Sequence, residues 1–372
     1  MKNKITFIIP SPGDGGSESV CINIANELVA RGWNVDLVCM NLKRKDSLNN
    51  ISDKVNLINL NINRFTFSFL PMLKYLKKSK VKHIVCYHYM YAIQLVLQNF
   101  FLNNQLKIIA RHNTSLSNEI DNNFKNFILK RLITTIIKSL YPKVDYVIAQ
   151  CEDMKLDLIK NFNFDKKIVK VILNPIRYKI EKSFNYKGNE KKNYILLVGR
   201  LSKEKRYDIA IRVFSKVRNK FPNLKLKISG KGREENYLKK FSKKFGVKDD
   251  VYFLGFQKDL VPLYQKAKLT LMTSSLEGFP NNLVESIMLG TPVVSFNCKS
   301  GPREIVQNNI NGFLVDFDDE VMLEQKIIET LNMQWNHHKV HLTAAQHSHK
   351  KSMNKFEKFF KHIVNLSKNN EA

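Results

Sequence analysis

The chain has 372 residues, 44% of them apolar and 25% charged, with 14 Gly and 10 Pro. At about 150 residues per domain this suits two domains, and the composition excludes a collagen-like chain, a low-complexity disordered one and a small disulfide scaffold. Against 61 Lys and Arg stand 33 Asp and Glu, a net charge of +28, which points to anionic partners (phosphates, nucleic acid or an acidic membrane surface) and says little about fold.

The first apolar run covers residues 5–10. It is shorter than the about 7–15 residues of a signal-peptide core and reads as a buried strand. Similar runs follow at 35–40, 55–60, 83–87, 107–110 and 145–149, with amphipathic helical stretches such as 17–31 and 124–140 between them. The stretch from 83 to 106 lacks Lys, Arg, Asp and Glu and exceeds the about 20 residues that span a bilayer. It carries His83, His88, Gln94 and Gln98 among other polar residues, so a strand followed by a helix is expected and no transmembrane segment. Residues 176–193, after Asn174-Pro175, are polar, charged and without periodicity; they are expected to be a linker. Strand-length runs resume at 194–198, 224–229, 251–253, 269–272, 293–296 and 312–315, with helical patterns at 207–220, 234–245 and 282–289. Short runs that are apolar on both faces and alternate with helices indicate parallel sheets in an α/β fold, doubly wound in each half. The expected domains are therefore 1–175 and 194–345. A closing amphipathic helix is expected within 346–372, with Phe356, Phe359, Phe360 and Ile363 at helical spacing. Ligand loops belong at the carboxyl ends of the strands, which places the expected active site in a cleft between the two domains.

The five cysteines, Cys21, Cys39, Cys86, Cys151 and Cys298, are scattered, odd in number and without a Cys-x-x-Cys pair. That argues against a zinc site or a disulfide framework and fits a reducing, cytoplasmic compartment.

Four loops carry the chemistry. The first strand runs into Ser11-Pro12-Gly13-Asp14-Gly15-Gly16-Ser17-Glu18, where glycines permit close backbone approach and a helix start follows that suits an anion. This is neither the dinucleotide fingerprint nor a P-loop, and a tight turn without a ligand is an equal reading. In the second half, Gly199-Arg200-Leu201-Ser202-Lys203-Glu204-Lys205-Arg206 sets cations at a strand end. Arg offers a planar fork and Lys a mobile point charge for a diphosphate; a solvated turn is the alternative. Ser229-Gly230-Lys231-Gly232 either admits a nucleotide close to the backbone or is a glycine turn. The segment from Thr273 to Glu285 contains Glu277-Gly278-Phe279-Pro280-Asn281-Asn282-Leu283 and then Glu285. Its 278–282 amides, at a helix N-terminus, suit an anion. Glu277 and Glu285 would stand about 12 Å apart along a continuous helix, too far to share a proton. They suit hydroxyls at two ends of an extended polyhydroxylated ligand.

With these segments in order, the chain resembles the retaining glycosyltransferases of family 4. The ordered set includes Gly15-Gly16-Ser17-Glu18, Gly199-Arg200-Leu201 with Glu204-Lys205, Ser229-Gly230-Lys231-Gly232 and Phe253-Leu254-Gly255-Phe256. It continues with Glu277…Glu285, Gly290-Thr291-Pro292-Val293-Val294, Gly301-Pro302-Arg303-Glu304-Ile305 and Asn311-Gly312-Phe313-Leu314-Val315. The resemblance implies a GT-B fold, two Rossmann-like domains facing across a cleft, the first for the acceptor and the second for a nucleoside diphosphate sugar. It implies that Arg200 and Lys205 neutralise the donor diphosphate, and that Glu285 holds the ribose. Glu277, with the amides of Gly278 to Leu283 after it, would hold the donor sugar and its phosphate. Gly15, Gly16 and Gly230 would approach the donor, and His112, in Arg111-His112-Asn113, would stand near the reacting sugar. It further implies catalysis with no metal or other cofactor and no protein nucleophile, a donor phosphate oxygen taking the acceptor proton. The 301–305 segment after Asn297-Cys298 looks like members that build bacterial surface polysaccharides, which favours a UDP-hexose or UDP-N-acetylhexosamine, with GDP-mannose as the alternative donor, and an undecaprenyl-diphosphate acceptor.

Two basic stretches lie in the first half. Lys74, Lys77, Lys78, Lys80 and Lys82 fall within nine residues, and Lys125, Lys130, Arg131, Lys138 and Lys143 stand among apolar residues with no acid between 123 and 143. Together they suit peripheral docking on an anionic membrane, the inner face of the cytoplasmic membrane; a solvated lysine-rich surface is the alternative. A nucleotide-sugar epimerase or hydrolase of the same architecture is the competing activity. A basic nucleic-acid-binding protein is disfavoured because no nucleic-acid module is recognisable.

Overall fold

The structure is a computed structural model that describes residues 3–13, 16–43, 48–103, 105–185 and 190–369. The chain divides into two compact units, Met1–Pro175 with Lys350–Ala372, and Ile176–His349.

The first unit holds seven strands: β1 (Lys4–Ile9), β2 (Asn34–Cys39), β3 (Asn56–Asn59), β4 (His83–Cys86), β5 (Lys107–Arg111), β6 (Tyr146–Ala149) and β7 (Val169–Val171). They form one sheet in the order β3-β2-β1-β4-β5-β6-β7, and every pairing is parallel. Strand β1, Lys-Ile-Thr-Phe-Ile-Ile, is buried from its second residue onward, as a central strand covered on both faces must be. The helix His349–Asn369 supplies the last piece of this unit's core. Met353, Phe356, Phe360, Ile363 and Val364 pack with Phe7 and Trp33, the Phe360 ring standing 6.1 Å from Phe7 and 6.4 Å from Trp33. Each such burial contributes about 1.5–3 kcal/mol, so the C-terminal helix completes the first core.

The second unit contains β8 (Tyr194–Val198), β9 (Lys225–Ser229), β10 (Val251–Gly255), β11 (Leu269–Met272), β12 (Val293–Phe296) and β13 (Gly312–Val315). Their order is β10-β9-β8-β11-β12-β13, again all parallel. Strand order reverses between β1 and β4 in the first sheet and between β8 and β11 in the second, the points where doubly wound sheets open a crevice at their carboxyl ends.

Several expectations need correction. Of the expected linker, the described residues 176–185 and 190–193 fall within the second unit: Tyr178–Lys182 is helical, with Ile180 buried. The helix expected over 124–140 runs over Phe127–Leu140, starting three residues later because Phe124 is extended and the Asn126 side chain caps it by accepting from Leu129 N–H; a separate helix, Leu116–Asn123, precedes it. Strand β7 was not anticipated; its Val-Lys-Val sits at a sheet edge with the lysine exposed, a pattern too short to register as a buried run. All five cysteines are buried and free.

Candidate active site

Gly199 follows β8 and Gly230 follows β9, both at positive φ (155° and 150°). A Cβ on Gly230 would stand 1.8 Å from the Gly199 carbonyl oxygen. The glycine at 230 is therefore required by the neighbouring backbone, and the two loops are laced by Gly199 N–H to Ser229 O and Leu201 N–H to Lys231 O, both 3.0 Å.

Across the switch point, the loop after β11 is tied to the loop after β8. Ser275 N–H donates to Glu204 O at 2.8 Å, and Thr273 Oγ1 lies 2.9 Å from the carbonyl oxygens of Lys205 and Arg206. Asn282 Nδ2 donates to Val198 O at 3.1 Å, anchoring the next helix to the end of β8. These ties bring Lys205 Nζ to 2.6 Å from Glu277 Oε1, an oxygen that also accepts from Ser274 Oγ at 2.6 Å. Only 19% of the Lys205 side chain and 11% of the Glu277 side chain are exposed, so the pair is largely withdrawn from water. Arg200 is exposed, and no ion pair of it occurs among the described residues.

The helix that follows is Asn281–Met288, so Glu277 lies in the loop before it. The turn itself uses two of the expected anion-binding amides. Asn281 N–H donates to Phe279 O, and Leu283 N–H donates to Pro280 O and to Asn282 Oδ1. Phe279 is buried, its ring 5.5 Å from that of His347. Glu285 is buried too. Arg177 Nε and Nη2 grip its two oxygens at 3.0 Å each, and Tyr264 Oη donates to Oε2 at 3.1 Å. The Glu285 charge raises the Arg177 pKa, while burial lifts that of Tyr264 well above the phenolic value. Among the described residues Glu277 and Glu285 share no hydrogen-bond partner. Arg177 was missed in the sequence because it lies in the aperiodic segment and belongs to no motif.

The spacing Asp316-Phe317-Asp318 follows β13. Asp318 pairs with Arg206 at 3.2 Å, and Asp319 caps the helix Glu320–Asn332 by accepting from Met322 N–H.

In the first unit, His112 follows β5 and is 2% exposed. Its backbone is fastened by N–H to Ile148 O at 3.1 Å and by Gln150 Nε2 donating to its carbonyl at 2.7 Å. Its Nε2 is buried without a hydrogen-bond partner. Burial lowers its pKa, with Glu119 opposing, which favours the neutral imidazole. Beside it, buried Arg111 donates to Asn113 Oδ1 at 3.0 Å and to Asn174 Oδ1, with its guanidinium 4.8 Å from the Tyr87 ring centre. Gly16 opens the helix Gly16–Ala30, and a Cβ there would meet nothing within 4 Å. Gly15 lies outside the described residues.

Two parallel doubly wound units, the second gathering lysine and glutamate at its switch point, define a Rossmann-like α/β enzyme of the GT-B type. The family described as Glycosyltransferase Family 4 matches residues 14–179, and Glycosyl transferases group 1 matches 179–347. The chain belongs to the family 4-like GT-B glycosyltransferases and is a hexosyltransferase by class. An uncharacterized glycosyltransferase of Methanocaldococcus jannaschii is 29% identical over 257 residues, 64% of this chain and 61% of its own length. A Campylobacter jejuni enzyme is 27% identical over 340 residues, 88% of this chain and 89% of its own. Its name is GalNAc-alpha-(1->4)-GalNAc-alpha-(1->3)-diNAcBac-PP-undecaprenol alpha-1,4-N-acetyl-D-galactosaminyltransferase. The solved structure of Anabaena HepE with UDP and glucose shares the fold, with a TM-score of 0.77 at 19% identity over 97% of this chain and 100% of that one.

Proposed function

We propose that this hexosyltransferase moves a hexose or N-acetylhexosamine from a UDP-sugar to a lipid-linked glycan acceptor in bacterial surface glycan synthesis, with retention at the anomeric carbon and no metal. The observation that carries the donor half is the Lys205–Glu277–Ser274 group beside exposed Arg200 at the switch point of the second sheet. When the bond from the anomeric carbon to the diphosphate breaks, positive charge grows on the sugar and negative charge on the leaving group. Lys205 and Arg200 stabilise the leaving diphosphate as fixed charges. The acceptor oxygen bonds to the anomeric carbon from the leaving-group side, and its proton goes to a departing phosphate oxygen. Glu277 and the neutral, unpartnered His112 Nε2 take hydroxyls of the donor sugar, and Glu285, aimed by Arg177 and Tyr264, takes those of the ribose. The Campylobacter relative, whose name includes an undecaprenol diphosphate glycan, supports a lipid-linked acceptor.

A thermal-shift panel of UDP, GDP, ADP and their sugars tests the donor. UDP compounds at a hundredfold over Kd stabilise by about 2.7 kcal/mol, roughly 5 °C or more in melting temperature. Glu285→Ala and Arg177→Ala should abolish the shift. A shift that survives in both variants removes the ribose assignment.

The acceptor side supports peripheral docking on the inner face of the cytoplasmic membrane. In the helix Phe127–Leu140 only Ile137 is buried, while Phe127, Ile128 and Leu132 are 74%, 78% and 57% exposed. Lys130, Arg131 and Lys138 lie on the same helix, and Phe67 and Leu70 stand exposed near Lys74, Lys77 and Lys78. Apolar insertion flanked by cations, each contributing about 1 kcal/mol near an anionic surface, is the physics of an in-plane helix. No helix among the described residues is long and apolar enough to cross a membrane. At low salt the protein should float with phosphatidylglycerol vesicles and not with phosphatidylcholine vesicles; equal recovery with both removes this assignment.

A further inference from the structure

The switch point of the first sheet holds polar groups that the reaction as described does not use. His88 lies two residues beyond β4, and Glu119 lies on the helix Leu116–Asn123 that follows β5. His88 Nε2 stands 2.9 Å from Glu119 Oε1. His88 Nδ1 accepts from Met90 N–H at 3.2 Å, so the ring proton sits on Nε2 and a neutral imidazole suffices to hold the carboxylate. The His88 ring stacks on Tyr89 at 4.6 Å, and Tyr89 lies parallel to His112 at 6.5 Å; His112 in turn meets Tyr141 at 5.9 Å.

This group is unlike a structural ion pair in two respects. First, it remains reachable: 28% of the His88 side chain and 17% of the Glu119 side chain are exposed. Second, Tyr141 Oη, which feels the Glu119 charge, is buried without a protein partner, as are Thr114 Oγ1 and Asn118 Nδ2 on the stretch of chain that carries Glu119. An unsatisfied buried donor or acceptor costs about 1–3 kcal/mol, so such groups near a strand end favour a ligand or an ordered water that completes them. Glu119 is central to the group. Burial alone would raise its pKa, but the His88 hydrogen bond and its two imidazole neighbours, His112 and His88, bring it below the usual carboxylate value. Its charge is in turn felt at Tyr89, His112 and Tyr141.

Building on the proposed transfer reaction, we propose that Glu119 binds hydroxyl groups of the acceptor's terminal sugar, with His88 as the residue that positions it. A carboxylate accepts from two hydroxyls of a polyhydroxylated ring, and the Tyr141 phenol and the Thr114 hydroxyl can each donate and accept toward the remainder. The chemistry recognised is a neutral pyranose, and the site confers selectivity for hydroxyl configuration, since a misplaced hydroxyl leaves these groups unpaired.

The test uses the full-length enzyme with the best UDP-sugar from the donor panel and four p-nitrophenyl α-glycosides as acceptors: N-acetylgalactosaminide, N-acetylglucosaminide, galactoside and glucoside. Glu119→Gln should raise the acceptor KM about ten-fold or more and leave the donor KM within about two-fold, the scale of one lost charged hydrogen bond. His88→Asn keeps an acceptor for the Met90 amide but loses the donor to Glu119, and should behave like Glu119→Gln. His88→Gln restores an N–H near the Nε2 position and should recover most of the acceptor affinity. Saturation-transfer NMR of the same glycosides with UDP present reads binding independently of turnover. An unchanged acceptor KM in folded Glu119→Gln, equal rises in both KM values, or no glycoside signal from native enzyme that binds UDP overturns the assignment. Failure of native enzyme to bind any nucleotide would instead strike the transfer reaction itself.

Discussion

A Lys205→Met enzyme should lose about three orders of magnitude in kcat/KM, the scale set by removing one preorganised group that stabilises transition-state charge. The structure explains why so much rests on one lysine. Its Nζ is held 2.6 Å from Glu277 Oε1, and its backbone is pinned through the Thr273 contact. In the proposed reaction the cation is therefore in place before the diphosphate departs. The same pairing makes a stability loss unavoidable, because Glu277 would keep Ser274 as its hydrogen-bond partner but lose its counter-charge while still largely buried. Breaking a buried pair costs up to about 3–5 kcal/mol, and this pair, being part-exposed, should fall below that range. Kinetics and circular-dichroism melts on the same samples separate the two effects. Lys205→Arg keeps the charge and should recover part of the rate. A folded Lys205→Met protein within ten-fold of native kcat/KM would remove Lys205 from the transition state.

The second large effect is one of stability. Gly230→Ala should destabilise the second unit by more than about 4 kcal/mol, at the extreme of single substitutions. The new Cβ would lie 1.8 Å from the Gly199 carbonyl oxygen and 2.8 Å from its carbon. Both obstacles are main chain, so no rotamer change relieves the clash, and the φ of 150° adds strain for any side chain. At about 2–4 °C per kcal/mol for a unit of this size, the melting temperature should fall by roughly 10 °C. Gly16→Ala is the matched control, since a Cβ there meets open space at the first residue of a helix, and the melt should rise by about 1–4 °C. Equal melts for Gly230→Ala and native protein would show that the loops after β8 and β9 do not pack as described.

What the two results share is a site made by contacts between loops far apart in the chain, and that decides how much could be read in advance. Most of the strands were legible because a parallel strand covered on both faces must be apolar at nearly every position, as β1, β8, β11 and β12 are. The loops were legible as strand ends, and the proposed roles of Arg200, Lys205, Glu277 and His112 follow from the residue types found there. Strand β7 and the later start of the helix at Phe127 escaped because an edge strand and a helix cap leave only weak periodic signals. Glu285 was visible, but its partner Arg177, 108 positions earlier in the chain, was not. Nor was the reason for glycine at 230, which lies in the backbone of another loop. Local patterning specifies elements because burial repeats with the geometry of strand and helix. Which side chain faces which across the top of a sheet depends on register and loop packing, and no period in the chain encodes that.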